Sequence, residues 1–484
     1  MNIQKYSNPN LNEVVNELNR RKVGFEREEY SCLLTDNSVI ISEDAKEHIN
    51  SDALKIWDWL KTTYKIYNNC MDNKSDSVQN ALEWGLPDLA IKFQRESSKR
   101  FDMPRLGRLD SVVLEPYQKI AEIQWKGGGE GFISELQDIF NSFSYDSDTY
   151  LLNNLCDGLG SVFSGCDCFS DTVNVLNTGR QIWMKTENGL KEKLKEYNVN
   201  LISLPPIEAG ERLCIKEGKV CLYIDGRYCR LNYIYLDRLS EVVSEELFIK
   251  IVDAYWSGQV ILDPPPSYLF NQKVSLALPF CDEYKDLFHE QLRKILIPSA
   301  LITKEKINLS ALIPYINHKN RDLLSEVNRI EDLCRLPAKL RENLIIKCAS
   351  SNKYNCHGGH AVWRLWGSKS VVEKNIDNIA QAINSTNEPW IIQPYVSETE
   401  KIPFVHPDEL STSQIMKAHA RYGIYYGVVD GRPGIIGSIA TLSPFWKVAG
   451  KTASYDSNGR LFGSAFTDIR VKKEKKNGKS TSSR

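Results

Sequence analysis

The spacing of apolar positions divides the chain into a helical beginning and a strand-rich remainder. Within residues 1–100, "LNEVVNELNRR" and "DALKIWDWLKTTYKIY" return apolar side chains every three or four positions, the period of one helix face. Past residue 100 the period shortens towards two. "SVVLEP" and "KIAEIQW" read as strands, and a run of glycines leads from them into a helix, "FISELQDIFNSF". Between about 150 and 260 the two periods alternate. "VNVLNTGRQIWMKTENGLKEKLKEYNVNLISL" reads as strand, helix and strand. "ERLCIKEGKVCLYIDGRYCRLNYIYL" reads as strand hairpins that turn at Glu217-Gly218 and Asp225-Gly226. Strands interleaved with helices predict an α/β region.

Consecutive prolines in "DPPPSYL" (263–269) can continue neither a helix nor a central strand, so they punctuate the chain. Beyond them "KVSLALPF" and "YKDLFHEQLRKIL" read as helices. "ENLIIKCAS", "AVWRLWGS" and "WIIQPYV" read as short strands, with the helix "SVVEKNIDNIAQAIN" between the last two. "ARYGIYYGVVDGRPGIIGSIATLS" is a hairpin around Asp430-Gly431, and "VKKEKKNGKSTSSR" is a basic tail poor in apolar residues. The expected division is a mainly helical region (1–100), an α/β region (101–262), a further α/β region (263–470) and a disordered tail (471–484).

Composition narrows the function classes. The 484 residues are 42% apolar and 25% charged with a formal net charge of -1, so no global field favours nucleic acid or an anionic membrane. No apolar run approaches the ~20 residues that span a bilayer, and the start lacks the apolar centre of a secretion signal. Twelve cysteines without a regular framework fit reduced thiols in the cytoplasm. "GCDCF" (Cys166, Cys168) and "CHGGH" (Cys356, His357, His360) each lack the second ligand pair of a structural zinc site.

The chemistry lies in a few polar positions set among apolar ones. In "RLGRLDSVVLEPYQKIAEIQWKGGGEGF" (105–132), Arg108 and Asp110 share one strand face, and Glu122 and Gln124 share another. If the two runs form a hairpin, three oxygen donors and a guanidinium converge. Carboxylates with a carboxamide oxygen suit Mg²⁺, and the glycines offer backbone N–H groups to an anion. An exposed hairpin with a flexible glycine turn accounts for the same residues. In "LIIKCASSNKYNCHGGHAV" (344–362) an apolar strand delivers Lys347 to a polar loop containing Gly358 and Gly359. That pattern can hold nucleotide phosphates or mark an ordinary strand end. Lys273 opens a helix, against the macrodipole preference, which raises the suspicion of a local anion. Gln393, Tyr395 and Val396 end an apolar strand whose backbone can face an adenine edge or enter a turn.

In this order the pieces resemble the circularly permuted ATP-grasp family, including the synthetase domain of glutathionylspermidine synthase. Arg108, Asp110, Glu122 and Gln124 are similar to its R-x-D and E-x-N elements, with glutamine for asparagine and Gly127 to Gly129 for serines. "DPPPSYLFNQKVSLAL" is similar to its proline-rich turn and N-K helix, "IPSALIT" to its I-P-x-T-x-L-L stretch, and "PWIIQPYV" to its P-W-V-V-Q-E-x-V hinge. "KCASSNKYNCHGGH" stands where the family has a denser glycine lid. The likeness spans roughly residues 100 to 450.

The resemblance implies an ATP-grasp architecture, circularly permuted, behind a helical N-terminal region. It implies a ligase that uses ATP and Mg²⁺ to join a small-molecule or peptide carboxylate to an amine through an acyl phosphate. Asp110, Glu122 and Gln124 would hold the metal and Arg108 the acyl-phosphate oxygens. Lys273 and Lys347 would clamp phosphates beneath the loop of Gly358 and Gly359, and Gln393, Tyr395 and Val396 would meet adenine. Lys447, Lys451 and Arg421 are further candidates. The alternatives are a catalytically silent ATP-binding or scaffold protein, and a nucleic-acid binder prompted by 10 tryptophans and 22 tyrosines. The near-neutral charge opposes the latter. The sequence names neither substrate, nor an oligomeric state.

Overall fold

The structure is a computed structural model that describes residues 11–21, 32–35, 37–73, 77–125, 129–143, 148–165, 172–179, 186–236, 238–304, 307–350, 361–406, 409, 413–446, 454–455 and 457–473. It has a mixed α/β architecture built on several sheets.

Leu11–Arg20, Glu43–Asn73, Ser77–Glu83 and Asp88–Arg100 are helices. In the longest, Glu43 and Asp44 sit in the first turn, where the helix dipole favours acids. Its buried stripe of Ile49, Ala53, Ile56, Leu60, Tyr64 and Tyr67 follows the helical period.

That stripe packs on a six-stranded antiparallel sheet. Its strands run in the order Ala465–Thr467, Arg432–Ser443, Ser413–Val429, Leu106–Ser111 and Ile120–Gln124, and Thr399–Val405 pairs with the first half of Ser413–Val429. Leu109, Ile123, Tyr422, Ile424, Ala440 and Leu442 share the buried core with the long helix. Strand alternation therefore turns Arg108, Asp110, Glu122, Gln124, Arg421 and Gly423 to the opposite face. This sheet draws strands from both sides of residue 262, because the hairpin expected at Asp430-Gly431 pairs with Leu106–Ser111.

The first strand of the acidic hairpin lies earlier than the periodicity of "SVVLEP" predicts. Extended pairing ends at Ser111. Residues 112–119 form the connection, closed by Val112 N–H to Lys119 O at 2.9 Å and Lys119 N–H to Val113 O at 2.9 Å. Pro116 has no N–H to give a ladder, which favours a connection here.

A second sheet is parallel, in the order Ile261–Asp263, Tyr233–Tyr235, Val173–Thr178 and Val199–Leu204. Val173, Val175, Val199, Leu201, Tyr233 and Tyr235 face the same apolar layer as Leu106, Tyr425, Ile436 and Ile439 of the six-stranded sheet, so one layer joins the two. The expected turns are present, with positive φ at Glu217, Gly218, Asp225, Gly226, Asp430 and Gly431.

A third sheet, antiparallel, runs Ala300–Ile302, Trp390–Pro394, Leu344–Cys348 and Val362–Arg364. The Lys369–Thr386 helix covers one face through Val372, Ile376, Ile379 and Ile383 against Leu344, Ile346, Trp390 and Ile392. Lys347 and Gln393, at the alternate positions, belong to the other face. The helix expected over "YKDLFHEQLRKIL" is split. A 3₁₀ turn spans Lys285–Leu287 and a helix spans Glu290–Ile295, with His289 Nδ1 accepting from Gln291 N–H at the break.

Candidate active site between two antiparallel sheets

The hairpin register sets the site. Arg108 lies opposite Gln124, and Asp110 opposite Glu122. Arg108 Nε donates to Asp110 Oδ1 at 2.9 Å, and an Nη donates to Gln124 Oε1 at 2.6 Å. The neighbouring strand places Gly423 opposite Asp110 and Tyr425 opposite Arg108. A Cβ on Gly423 would meet Arg108 Cδ and Ile439 Cγ2 at 3.0 Å each, so the missing side chain makes room for the arginine stem. Arg421 Nη1 lies 3.6 Å from Asp110 Oδ2. Asp110 is only 1% exposed, and two guanidinium groups flank it.

The lysines reach this face from the other side. Lys273 N–H donates to Ala349 O at 2.9 Å, which ties its turn to the end of the Leu344–Cys348 strand. Asn271 Oδ1 accepts from Trp125 N–H at 3.2 Å, which ties the same turn to the end of the hairpin. Between these anchors Lys273 Nζ meets Glu122 Oε1 at 3.0 Å. Lys347 Nζ donates to Ala121 O at 3.1 Å. Lys273 is 6% exposed and Lys347 8%. The two lysines and the acidic hairpin, about 150 to 240 residues apart in sequence, thus face each other across one interface.

Burial alone would raise the Glu122 carboxyl, but Lys273, Lys347 and Arg421 outweigh it and hold it at about 2. Lys347 moves the other way. Burial lowers its ammonium to about 8, with Glu122 opposing and Lys273 adding to the shift. For Arg108, burial disfavours the charge, yet Asp110 and Tyr425 raise it above its ordinary value. Shifts of this kind cluster at functional sites and also arise in structural ion-pair networks.

The remaining expected residues divide. Gln393 is buried, and its Nε2 donates to Ser299 Oγ at 2.7 Å. Tyr395 N–H donates to Asn343 O at 2.7 Å, so this backbone donor is already engaged. The Tyr395 ring lies under the Arg364 guanidinium, 3.9 Å from the centroid, and its hydroxyl is 3.3 Å from His419 Nδ1. Val396, half-buried, lies just past the end of the Trp390–Pro394 strand. Gly358 and Gly359, Lys447 and Lys451, Lys126 to Gly128, Cys166 and Cys168, and Cys356, His357 and His360 lie outside the described residues. Arg421 joins the site. Gly423 and Tyr425 were not anticipated, although "RYGIY" places Arg421, Gly423 and Tyr425 two apart on one strand face.

Asp110, Glu122 and Gln124 offer hard oxygen donors that suit Mg²⁺. Among the described residues no group of three or more His, Cys, Asp or Glu side chains is placed to hold a metal ion. No described helix is long and apolar enough to cross a membrane.

No family model matches the chain, and no curated protein matches it significantly in sequence. Among solved structures it is similar to a protein from Methylobacillus flagellatus KT provisionally named gamma-glutamylcysteine synthetase. The TM-score is 0.39 at 11% identity, over 83% of this chain and 86% of that one.

Proposed function

We propose that the chain is an ATP- and Mg²⁺-dependent ligase of circularly permuted ATP-grasp type that joins a carboxylate to an amine and forms ADP. The observation that carries this reading is the meeting of Lys273 and Lys347 with the Arg108, Asp110, Glu122 and Gln124 face. Phosphoryl transfer needs positioning and charge neutralisation more than a protein nucleophile, and this face supplies both.

In this reading Lys273 and Lys347 clamp the phosphates, and Asp110, Glu122 and Gln124 would hold Mg²⁺, which would supply neutralisation of the phosphate charge. The substrate carboxylate attacks the γ-phosphorus and ADP leaves. The amine then attacks the acyl phosphate, loses a proton and expels phosphate as the amide forms. Arg108, held by Asp110 and Gln124, stabilises the developing oxyanion, a role worth roughly 3 to 4 kcal/mol in comparable sites. Gln393, Tyr395 and Val396 border the base.

The test is ADP and phosphate release from MgATP with a panel of amino acids and peptides. Substrate-stimulated release, lost in Asp110→Asn with the fold intact, is the expected result. Release of AMP and pyrophosphate would move the chemistry to adenylation. Gln124, in place of the family's asparagine and with its Oε1 held by Arg108 at 2.6 Å, favours a second reading, a nucleotide-binding protein without turnover. Tight ATP binding with no release across the panel would select it.

A further inference from the structure

We infer that Lys273 occupies Glu122 as an internal counter-ion, so that polyphosphate binding is what opens the metal site. The inference rests on the reading of this face as a nucleotide and magnesium site, and adds an order of events to it.

Each oxygen donor of the set is already held by a basic side chain. Glu122 is paired with Lys273 at 3.0 Å, and Asp110 with Arg108 at 2.9 Å and Arg421 at 3.6 Å. Gln124 Oε1 accepts from Arg108 at 2.6 Å. The four cations Arg108, Arg421, Lys273 and Lys347 outnumber the two carboxylates. A divalent cation arriving alone meets a positive excess and two engaged carboxylates, and among the described residues no group of three His, Cys, Asp or Glu side chains is placed to hold it. A polyphosphate meets the same excess as attraction.

The lysine is the movable part. Its main chain is fixed by the bond to Ala349 O, so a phosphate can draw Nζ away from Glu122 while the turn stays in place. Glu122 is the more accessible acid, its side chain 24% exposed against 1% for Asp110. Its release leaves a carboxylate beside the incoming phosphates, where a cation can bridge the two. Nucleotide and metal thereby favour each other's binding, and this coupling must be reciprocal.

The experiment titrates Mn²⁺ into the full chain, with free Mn²⁺ followed by electron paramagnetic resonance. It is run with and without the β,γ-imido analogue of ATP, and circular dichroism confirms each variant's fold. In the wild type the analogue should tighten Mn²⁺ binding by about tenfold or more, within the range of coupled sites. Lys273→Met should have opposite effects on the two ligands. Mn²⁺ alone should bind about tenfold more tightly than to wild type, and the analogue about tenfold more weakly. Lys273→Gln should repeat this if the methionine variant does not fold. Glu122→Gln should keep analogue binding and lose its enhancement of Mn²⁺ binding. Unchanged or weaker Mn²⁺ binding by a folded Lys273 variant, with wild type still binding the analogue, would overturn the inference alone. Failure of the wild type to bind the analogue would overturn the underlying reading with it.

Discussion

Lys347 and Glu122 both lose solvent and end with opposite outcomes. The carboxylate is surrounded by cations and stays charged down to about 2, whereas the ammonium is disfavoured by burial down to about 8. The two signs give separate pH predictions. As pH falls from 4.5 towards 2, the folded state loses the Glu122 contribution. Between about 8 and 10.5 the unfolded chain holds a Lys347 proton that the folded chain has released, so this lysine makes stability rise with pH there. Lys347→Met should therefore melt higher than wild type at pH 7, with the gap closing across that window. A phosphate beside Lys347 restores its charge. Nucleotide affinity should fall above about pH 8, and binding at pH 8.5 should take up a proton. Calorimetry in two buffers of different ionisation enthalpy measures that uptake, which should vanish in Lys347→Met. Gly423 makes a steric prediction. The 3.0 Å contacts awaiting a Cβ mean that Gly423→Ala displaces the Arg108 stem, at about 1 kcal/mol of stability and a larger, roughly tenfold, loss of turnover.

At the scale of the element, strand alternation puts chemistry on one side of a strand and stability on the other. Ile346 is fully buried against the Lys369–Thr386 helix, one residue from Lys347. Ile346→Ala should cost about 2–5 kcal/mol in denaturant unfolding, because the vacated volume is enclosed. The same alternation explains what the sequence disclosed. The Leu344–Cys348 strand and its lysine were legible because four apolar residues mark the strand and one charge interrupts them. The hairpin quartet was legible because its polar positions are two apart. The strand before it was misplaced towards Val112 and Val113, whose β propensity is high, while the ladder that decides the pairing comes from residues 422–427. Arg421 stayed ambiguous, and Gly423 and Tyr425 went unseen, for the same reason. Their role depends on a partner strand some 300 residues away, and a glycine's empty space acquires meaning only beside a particular arginine.

At the scale of the molecule, two antiparallel sheets from distant parts of the chain bring their charged residues to one interface, while the parallel sheet packs on the apolar part of the same face. The order of motifs could suggest this meeting but could not establish it. No local pattern shows that Lys273 is anchored at one end to Ala349 and reaches Glu122 at the other. The most direct test is an anomalous-difference map from crystals grown with Mn²⁺ and the β,γ-imido analogue of ATP. A manganese peak is expected between Asp110, Glu122 and the phosphate oxygens, with Lys273 and Lys347 on the triphosphate. A nucleotide bound elsewhere, with Lys273 still paired to Glu122 and no peak at the hairpin, would contradict it.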